Sequence, residues 1–330
     1  MADHAIDLPE GAEYCSTCVI PTDVRTRPHP PSLPPLPSLS PPRGIPRPSC
    51  KPPVLAPTPL AVLGGLGEAA GSDRSGTVQW AEVPLVGRRK YNHDSTVFSF
   101  GLPAGKSLNL PVCACVLVRG KNASGEVAVR PYTPTSPNSV LGSFDLLVKV
   151  YEQGTVSKYL DGLEIGAKVG FKHIPFNIKA QYPFGKKTIT MIAGGTGIAP
   201  MYQALHELAG HADDSTEVTL LYGNKIPEDI LLKDELDALV AKSAGRIKVV
   251  HVVGTQPDQA PIAGWDGELG WVDKAKFQKY AAPPSADTMV MVCGLPPLYD
   301  VFCGPRNEAD VKEGSILHEL GYTAEMVAKF

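Results

Sequence analysis

Four consecutive residues, Arg130-Pro131-Tyr132-Thr133, carry groups that suit a ligand with a phosphate and a flat ring system. They close a β-type run over residues 125–130. Pro131 fixes its own φ and biases Arg130 toward extended geometry, so the side chains of Arg130 and Tyr132 keep a defined relation. The guanidinium can donate two parallel hydrogen bonds to a phosphate, while the Tyr offers a flat face and the Thr a small donor. The alternative is an ordinary strand end with an exposed Arg and a packed Tyr.

A second motif lies further along the chain, where a strand, a glycine turn and a helix follow one another. Residues 188–193 form an apolar, β-branched run typical of a buried strand, and residues 201–208 have a helical pattern. The turn between them contains Gly194, Gly195 and Gly197, with Thr196 between the last two. This arrangement brings backbone N–H groups and a helix N-terminus to a pyrophosphate. It departs from the usual G-x-G-x-x-G spacing, and an ordinary tight turn is the alternative.

The rest of the C-terminal half predicts the sheet that positions this turn. Residues 217–222, 247–253 and 287–293 read as further strands that alternate with helical stretches, which is the pattern of a parallel α/β sheet. Open sheets of this kind bind ligands at the carboxyl ends of their strands. Both the glycine turn and Cys293-Gly294 fall at such ends.

Composition limits the function classes. A length of 330 residues suggests two ordinary domains, and the 43% hydrophobic and 20% charged shares are those of a globular enzyme. A net charge of −3 gives a nucleic-acid role no electrostatic support. Seven cysteines lack the spacing of a disulfide framework, and the single C-x-x-C of Cys15 and Cys18 has no second ligand pair, so we predict no metal site. No apolar run reaches the length of a spanning helix.

The chain divides into three predicted segments. Residues 1–76 form a Pro-rich tail, with fifteen prolines from Pro21 to Pro59, for which disorder is expected. Residues 77–185 show several short strands, among them 112–118 and 145–151, which is a barrel-like pattern. Residues 186–330 form the α/β domain.

The tail gives conflicting signs about targeting. Residues 25–51 carry basic residues and no acid, as a transit peptide does. The first 23 residues instead contain five acids and neither Lys nor Arg. The alternatives are a linker with no further function and a segment that docks onto an SH3-like partner.

Taken together, the motifs resemble the ferredoxin-reductase-like flavoproteins, most closely the NADH–cytochrome b5 reductase family. The match runs from about Trp80 to Phe330, with motifs in the family's order at residues 130–136, 148–151, 154–157, 194–200, 222–224, 229–232 and 293–297. Residues 171–177 and 181–184 look like the mitochondrial-type reductases of plants and algae. The resemblance therefore implies a six-stranded antiparallel β-barrel for FAD followed by a Rossmann-like parallel-sheet domain for the nicotinamide nucleotide. It favours a mitochondrial location over a cytosolic one.

The resemblance also implies roles for the flavin-side residues. Arg130, with Pro131, would hold a flavin phosphate, Tyr132 would lie against the isoalloxazine, and Thr133 would sit near N5. The further FAD contacts that it implies are Val148, Lys149, Tyr151, Gly154, Val156 and Ser157. For Lys149, a solvated strand residue is the alternative.

On the nicotinamide side, the resemblance assigns the nucleotide to Gly194, Gly195, Thr196, Gly197, Cys293, Gly294, Pro296 and Phe330. Tyr132, Thr133 and Cys293 would surround the reacting atoms. Cys293 would pack there without acting as a covalent nucleophile, and a structural buried Cys is the alternative.

Two departures from the family affect these expectations. Many relatives have Gly-Gln-His where this chain has Cys113-Ala114-Cys115, so local flavin support is expected to differ. Relatives often carry an acid where this chain has Gly254-Thr255-Gln256, which weakens exclusion of NADPH. We expect NADH as the donor, with NADPH not excluded.

The implied activity is hydride transfer from NADH to FAD, followed by single-electron transfer to a heme protein such as cytochrome b5. The acceptor must be a separate molecule, because the sequence contains no heme-ligand His pair in a cytochrome-like context and no iron–sulfur cysteine spacing. Lys121, Lys172 and Lys179 could meet its acidic surface, or simply be solvated. We expect a monomer, with peripheral membrane association possible. A reductase for quinone or nitrate reduction, and a non-catalytic protein acting through its tail, are the rival hypotheses.

Overall fold

The structure is a computed structural model that describes residues 80–173, 179–254 and 264–330. The predicted tail, residues 1–76, lies outside these ranges, as do Thr255 and Gln256. Among the helices of the described ranges, none combines the length and the apolar character that a bilayer crossing requires.

The first domain is a curled antiparallel sheet. Its strands are β1 (Ala81–Lys90), β2 (Ser95–Gly101), β3 (Val116–Lys121), β4 (Val127–Tyr132), β5 (Ser143–Lys149) and β6 (Lys168–His173). They are hydrogen-bonded in the order β4-β3-β6-β1-β2-β5. Phe100, Phe144 and Phe171 meet in its core with ring centroids 4.8 to 5.4 Å apart. The predicted six-stranded antiparallel fold is confirmed.

Strands β4 and β5 are the two edges of this curled sheet, and we call the line between them the seam. The chain just beyond β4 reaches β5 there, because the Thr135 amide donates to the Asp145 carbonyl at 2.9 Å. The Asp145 amide in turn donates to the Ser136 hydroxyl at 2.9 Å. Helix α1 (Thr155–Asp161) packs on β3 beside Gly120, where a Cβ would lie 3.1 Å from the Val156 Cα.

The second domain is a six-stranded parallel sheet. Its strands are β7 (Thr188–Gly194), β8 (Glu217–Asn224), β9 (Ile247–Val253), β10 (Glu268–Leu269), β11 (Thr288–Cys293) and β12 (Val327–Lys329). Their order is β10-β9-β8-β7-β11-β12. The helices are α2 (Ile198–Gly210), α3 (Lys233–Lys242), α4 (Lys274–Tyr280), α5 (Pro296–Phe302) and α6 (Ile316–Glu319), with 3-10 turns at Gly195–Gly197, Pro227–Asp229 and Ala324–Met326.

Helices cover both faces of this sheet, which explains its continuous apolar strands. Met191 and Leu220 face the core formed with α2 and α3. The alternate residues Ile192 and Leu221 face the core formed with α4, α5 and α6.

Two predicted strands of the first domain have different limits. The strand predicted from residue 112 begins at Val116, because Cys113 has a left-handed backbone with φ 64° and the Ala114 amide turns back to Pro111. The apolar run suggested a strand, but a left-handed residue cannot continue one. The strand predicted to reach Tyr151 ends at Lys149.

The two domains share one apolar core. Val97 and Leu147 of the first sheet belong to the same buried cluster as Ile198 at the start of α2 and the terminal Phe330. The domain boundary is therefore a packed interface, which limits relative rotation of the two sheets.

Candidate active site

The two glycine turns predicted at strand ends are in direct contact. Strands β7 and β11 pair in parallel with Ala193 opposite Cys293. A Cβ on Gly197 would lie 2.6 Å from the Cys293 carbonyl carbon and 2.9 Å from the Gly294 nitrogen. A Cβ on Gly294 would lie 3.4 Å from the Gly194 nitrogen. Glycine is therefore required at position 197 for the turns to meet.

The remainder of the first turn opens outward. Gly195 has φ 52°, and no atom of the described residues lies within 4 Å of where its Cβ would be. The Tyr222 hydroxyl donates to the Gly195 carbonyl at 3.0 Å, and this hydrogen bond fixes the turn against strand β8. Thr196 is half-buried beside it. The turn thus presents backbone to an open space at the carboxyl edge of the sheet, which fits a nucleotide pyrophosphate.

Arg130, Pro131 and Tyr132 end strand β4 on the flavin side, and Thr133 follows it directly. All four are half-buried. Arg130 Nη1 donates to its neighbour's carbonyl, that of Val129, at 2.9 Å. Tyr132 packs against the core of the first sheet. The cation, the aromatic ring and the hydroxyl therefore lie together on one edge strand at the seam.

Lys149 closes β5 on the other side of the seam and is already paired. Its ammonium lies 2.5 Å from Asp94 Oδ2 and 3.8 Å from Asp229 Oδ1, so it links the two domains. Burial alone would lower the pKa of Lys149, but the hydrogen bond and charge of Asp94 outweigh burial and raise it. Within the chain, Lys149 contacts the carboxylates of Asp94 and Asp229. Its implied contact with FAD stays a prediction. Val148, one residue earlier, is 1% exposed and points into the core.

Tyr151 and the turn before α1 complete the flavin side. The Tyr151 ring is 46% exposed, and its amide donates to Ser157 Oγ at 3.3 Å. A Cβ on Gly154 would lie 3.1 Å from the Tyr151 Cβ, so the turn is compact. Val156 and Ser157 are buried in the first turn of α1.

Cys293 is half-buried at the end of β11 and packs against the shared core. Burial raises the pKa of its thiol to about 11, although the charge of Arg306 and a hydrogen bond with Tyr299 oppose the shift. The thiol is therefore protonated at neutral pH, which suits packing better than nucleophilic attack.

Phe330, which follows β12 beside Cys293, is hydrogen-bonded to strand β11. The Phe330 amide donates to the Val292 carbonyl at 2.9 Å, and the Tyr299 hydroxyl donates to the Phe330 carbonyl oxygen. Pro296 begins α5 next to this point.

Strand β11 ends beside the first domain. Cys293 packs against a buried cluster that contains Cys113, two residues before Cys115. Cys115 directly precedes Val116, which is the register partner of Tyr132 across β3 and β4. The segment of residues 113–116 therefore adjoins both Cys293 and the strand that carries Tyr132.

Sequence reasoning missed the polar contacts that align the two domains. The Leu232 amide donates to the Tyr91 hydroxyl at 2.8 Å, and Asn92 Nδ2 donates to the Glu228 carbonyl at 3.0 Å. Gln203 of α2 also reaches the first domain. Single hydrogen-bonding residues in loops and on helices leave no periodic signal that could have identified them.

The donor set fits a flavin dinucleotide facing a nicotinamide dinucleotide. Arg130, Tyr132 and Thr133 supply a cation, a flat ring and a hydroxyl in the first domain, and the second domain supplies an open glycine turn. Phosphates bind such cations and backbone N–H groups.

Comparison with known proteins agrees with this geometry. Residues 82–174 match the model of the oxidoreductase FAD-binding domain, and residues 191–304 match that of the oxidoreductase NAD-binding domain. The chain is 37% identical over 258 residues to NADH-cytochrome b5 reductase 2 of Kluyveromyces lactis, covering 77% of this chain and 85% of the relative. It is 37% identical over 261 residues to an NADH-cytochrome b5 reductase-like protein of Arabidopsis thaliana, covering 76% and 77%.

A solved structure gives the same result. The cytochrome b5 reductase domain of Ulva prolifera nitrate reductase superposes with a TM-score of 0.58 at 32% identity, covering 67% of this chain and 89% of that one. The FAD-binding and NAD-binding domains that the sequence predicts are thereby confirmed. This chain belongs to the NADH–cytochrome b5 reductase family.

Proposed function

We propose that the protein is an FAD-dependent oxidoreductase that takes hydride from NADH and passes electrons singly to cytochrome b5. The observation that carries this proposal is that residues 113–116 adjoin both Cys293 and the strand that carries Arg130 and Tyr132. The FAD-binding and NAD-binding domains supply the two redox partners. The acceptor is proposed from the names of the relatives.

The chain's contribution to the reaction is positioning. A bound flavin supplies the redox chemistry, accepting hydride from the nicotinamide and releasing electrons to a one-electron acceptor. Arg130 would bind a flavin phosphate, and Tyr132 would support the ring by stacking. The outward-facing turn at Gly195 would hold the nicotinamide nucleotide by its pyrophosphate. Holding two rings in a reactive orientation accounts for a large part of the rate enhancement.

Cys293 and Phe330 would exclude water from the nicotinamide end of the site. Both belong to or pack against the apolar core that the domains share. The protonated Cys293 thiol adds no charge there, so the site keeps a low dielectric.

For the acceptor, Lys179 would contribute to a basic surface that meets an acidic protein. It lies close enough to Arg306, Lys329 and Cys115 for their charges to interact, and burial together with the two cations lowers its pKa. Complementary charge mainly accelerates association. Lys121, at the end of β3, is exposed.

The decisive experiment is an anaerobic titration of the FAD-loaded protein with NADH and, in parallel, NADPH. We expect NADH to bleach the visible flavin absorbance stoichiometrically. Flavin that neither nucleotide bleaches would remove the oxidoreductase proposal. A faster reaction with NADPH would reassign the donor.

Turnover with cytochrome b5, a quinone and ferricyanide separates the possible acceptors. Ferricyanide is the control, because it oxidises any accessible reduced flavin. We expect turnover with cytochrome b5 to approach that with ferricyanide. Preferred turnover with quinone, or with neither physiological class, would assign the protein to another electron-transfer chain.

A further inference from the structure

Gln203 occupies an unusual place in the second domain. It lies on α2, the helix that continues directly from the Gly195–Gly197 turn. Its half-buried side chain points away from its own sheet and into the first domain. Its hydrogen-bond partners in the first domain are therefore linked through α2 to the Gly195–Gly197 turn.

The carboxamide of Gln203 uses both of its ends across the domain boundary. The Cys113 amide donates to Oε1 at 2.6 Å, and Nε2 donates to the Pro134 carbonyl at 2.7 Å. Both partners are backbone groups separated from Gln203 by 90 and 69 residues. A single planar side chain thus joins three segments of the chain.

The two backbone partners flank the segment that would carry the flavin ring. Pro134 directly follows Thr133. Cys113 lies three residues before Val116, the strand partner of Tyr132. A shift of α2 would consequently be transmitted to both sides of Tyr132 and Thr133.

The Cys113 end of this contact is strained and needs support. A non-glycine residue in the left-handed region costs about 1–2 kcal/mol. Cys113, at φ 64°, is held there by Gln203 at its amide and by Pro200, whose carbonyl accepts from the Cys113 thiol at 3.1 Å. Both supports come from α2, so this helix helps to impose the turn before β3.

We propose that Gln203 is a positioning residue that sets the placement of the flavin ring relative to the nicotinamide turn. The inference rests on the proposed hydride transfer for its consequence. The clamp itself, from Gln203 to Cys113 and Pro134, is testable without turnover.

Gln203→Glu is the informative variant, because it keeps the shape and changes one hydrogen. An ionised carboxylate still accepts from the Cys113 amide, but it has no proton to donate to the Pro134 carbonyl. A protonated carboxyl regains that donor through its hydroxyl. Lowering the pH should therefore restore the clamp in this variant alone.

The experiment uses the full FAD-loaded chain and three variants: Gln203→Glu, Gln203→Leu and Gln278→Leu. Gln278 is exposed on α4, so the last variant controls for the same change elsewhere. Three quantities are measured between about pH 4 and 8, a range that extends below the ordinary Glu pKa of about 4.3: hydrogen exchange of the Cys113 amide, the dissociation constant of FAD, and the rate constant of flavin bleaching at saturating NADH.

For Gln203→Leu we expect Cys113 exchange to rise by about tenfold or more and bleaching to slow by about tenfold, since small misplacements of reacting groups are costly. FAD affinity should change by less than about threefold, because the phosphate contacts remain. Gln203→Glu should keep slow Cys113 exchange, because its carboxylate still accepts from that amide. Its bleaching should be slow at pH 8 and should approach the wild-type rate only as the pH falls toward the ordinary Glu pKa of about 4.3. For each of the three quantities, the ratio of the Gln278→Leu value to the wild-type value should stay constant across the pH range.

Unchanged Cys113 exchange in Gln203→Leu would overturn the clamp. Faster exchange with an unchanged bleaching rate would overturn the positioning role. If the Gln203 variants lose FAD and the bleaching rate of Gln203→Glu does not recover at low pH, then Gln203 has a structural role only. If Gln203→Leu does not fold, the pH response of Gln203→Glu decides alone. If NADH does not bleach the flavin of the wild-type protein, the proposed function is wrong. Hydrogen exchange of the Cys113 amide would still test the clamp.

Discussion

Replacing Gly197 by Ala tests the contact on which the candidate site is built. The added Cβ would meet the Cys293 carbonyl carbon at 2.6 Å and the Gly294 nitrogen at 2.9 Å, with the Cys293 carbonyl oxygen closer still. Carbon atoms in van der Waals contact are about 3.5–4.0 Å apart. The obstructing atoms are all backbone and cannot rotate away, so the two turns must separate by about 1 Å.

Such a separation should affect both stability and reaction. Forcing a methyl group into a packed site costs about 1–3 kcal/mol, and more where backbone must move, so we expect the free energy of unfolding to fall by about 3 kcal/mol. Displacing Cys293 and Gly294 by about 1 Å should lower the rate constant of flavin reduction by NADH about a hundredfold. FAD occupancy should stay near that of the wild type, because Arg130 and Ser157 lie in the other domain.

Gly210→Ala is the matched control. Gly210 ends the same helix, and no atom of the described residues lies within 4 Å of where its Cβ would be. Thermal unfolding and stopped-flow reduction by NADH check both variants. A Gly197→Ala protein with wild-type stability and a reduction rate within about twofold of wild type would refute the contact between the turns.

Other expected outcomes follow from the same site. Arg130→Ala should purify with less flavin, which excess FAD restores; full occupancy in that variant would count against the phosphate role. Asp94→Asn should reduce stability by about 1 kcal/mol by leaving Lys149 without its nearer partner. Lys149 and Ser95 outweigh burial and lower the pKa of Asp94, so this difference should be present above the ordinary carboxyl pKa of about 3.9 and vanish as the pH falls below it. Alkylation of Cys293 should be slow at neutral pH and accelerate toward pH 11, whereas rapid labelling at pH 7 would contradict the burial-raised pKa.

The fold could be predicted because its determinants are local or repeated along the chain. Alternating strands and helices after residue 186 predicted a parallel sheet, and the glycines predicted where its strands end. The curl of the first sheet was different. Its two edges are connected where the Thr135 amide meets the Asp145 carbonyl, and only the resemblance to known flavoproteins indicated that these edges would approach each other.

The segment before β3 shows where pattern reasoning fails. Residues 112–118 are almost entirely apolar, which favours a buried strand. Cys113 instead turns left-handed because α2 supplies hydrogen-bond partners for its amide and its thiol. A local pattern contains no information about a helix ninety residues later.

Lys149 illustrates the same limit for a charge. The resemblance implied that it contacts FAD, and that role stays a prediction. The structure pairs Lys149 with Asp94 and Asp229, which come from two different domains and do not stand out in the sequence. Tertiary structure, not the local pattern, determines these partners.

The domain boundary concentrates mutational sensitivity on few side chains. Tyr91 and Gln203 bind backbone groups of the opposite domain, namely those of Leu232, Cys113 and Pro134. Substituting those backbone partners leaves the hydrogen bonds possible, whereas substituting Tyr91 or Gln203 removes them. A buried backbone group that loses its partner costs about 1–3 kcal/mol. The alignment of the two reactive rings therefore depends in part on Tyr91 and Gln203, and changes to either should slow hydride transfer before they release a cofactor.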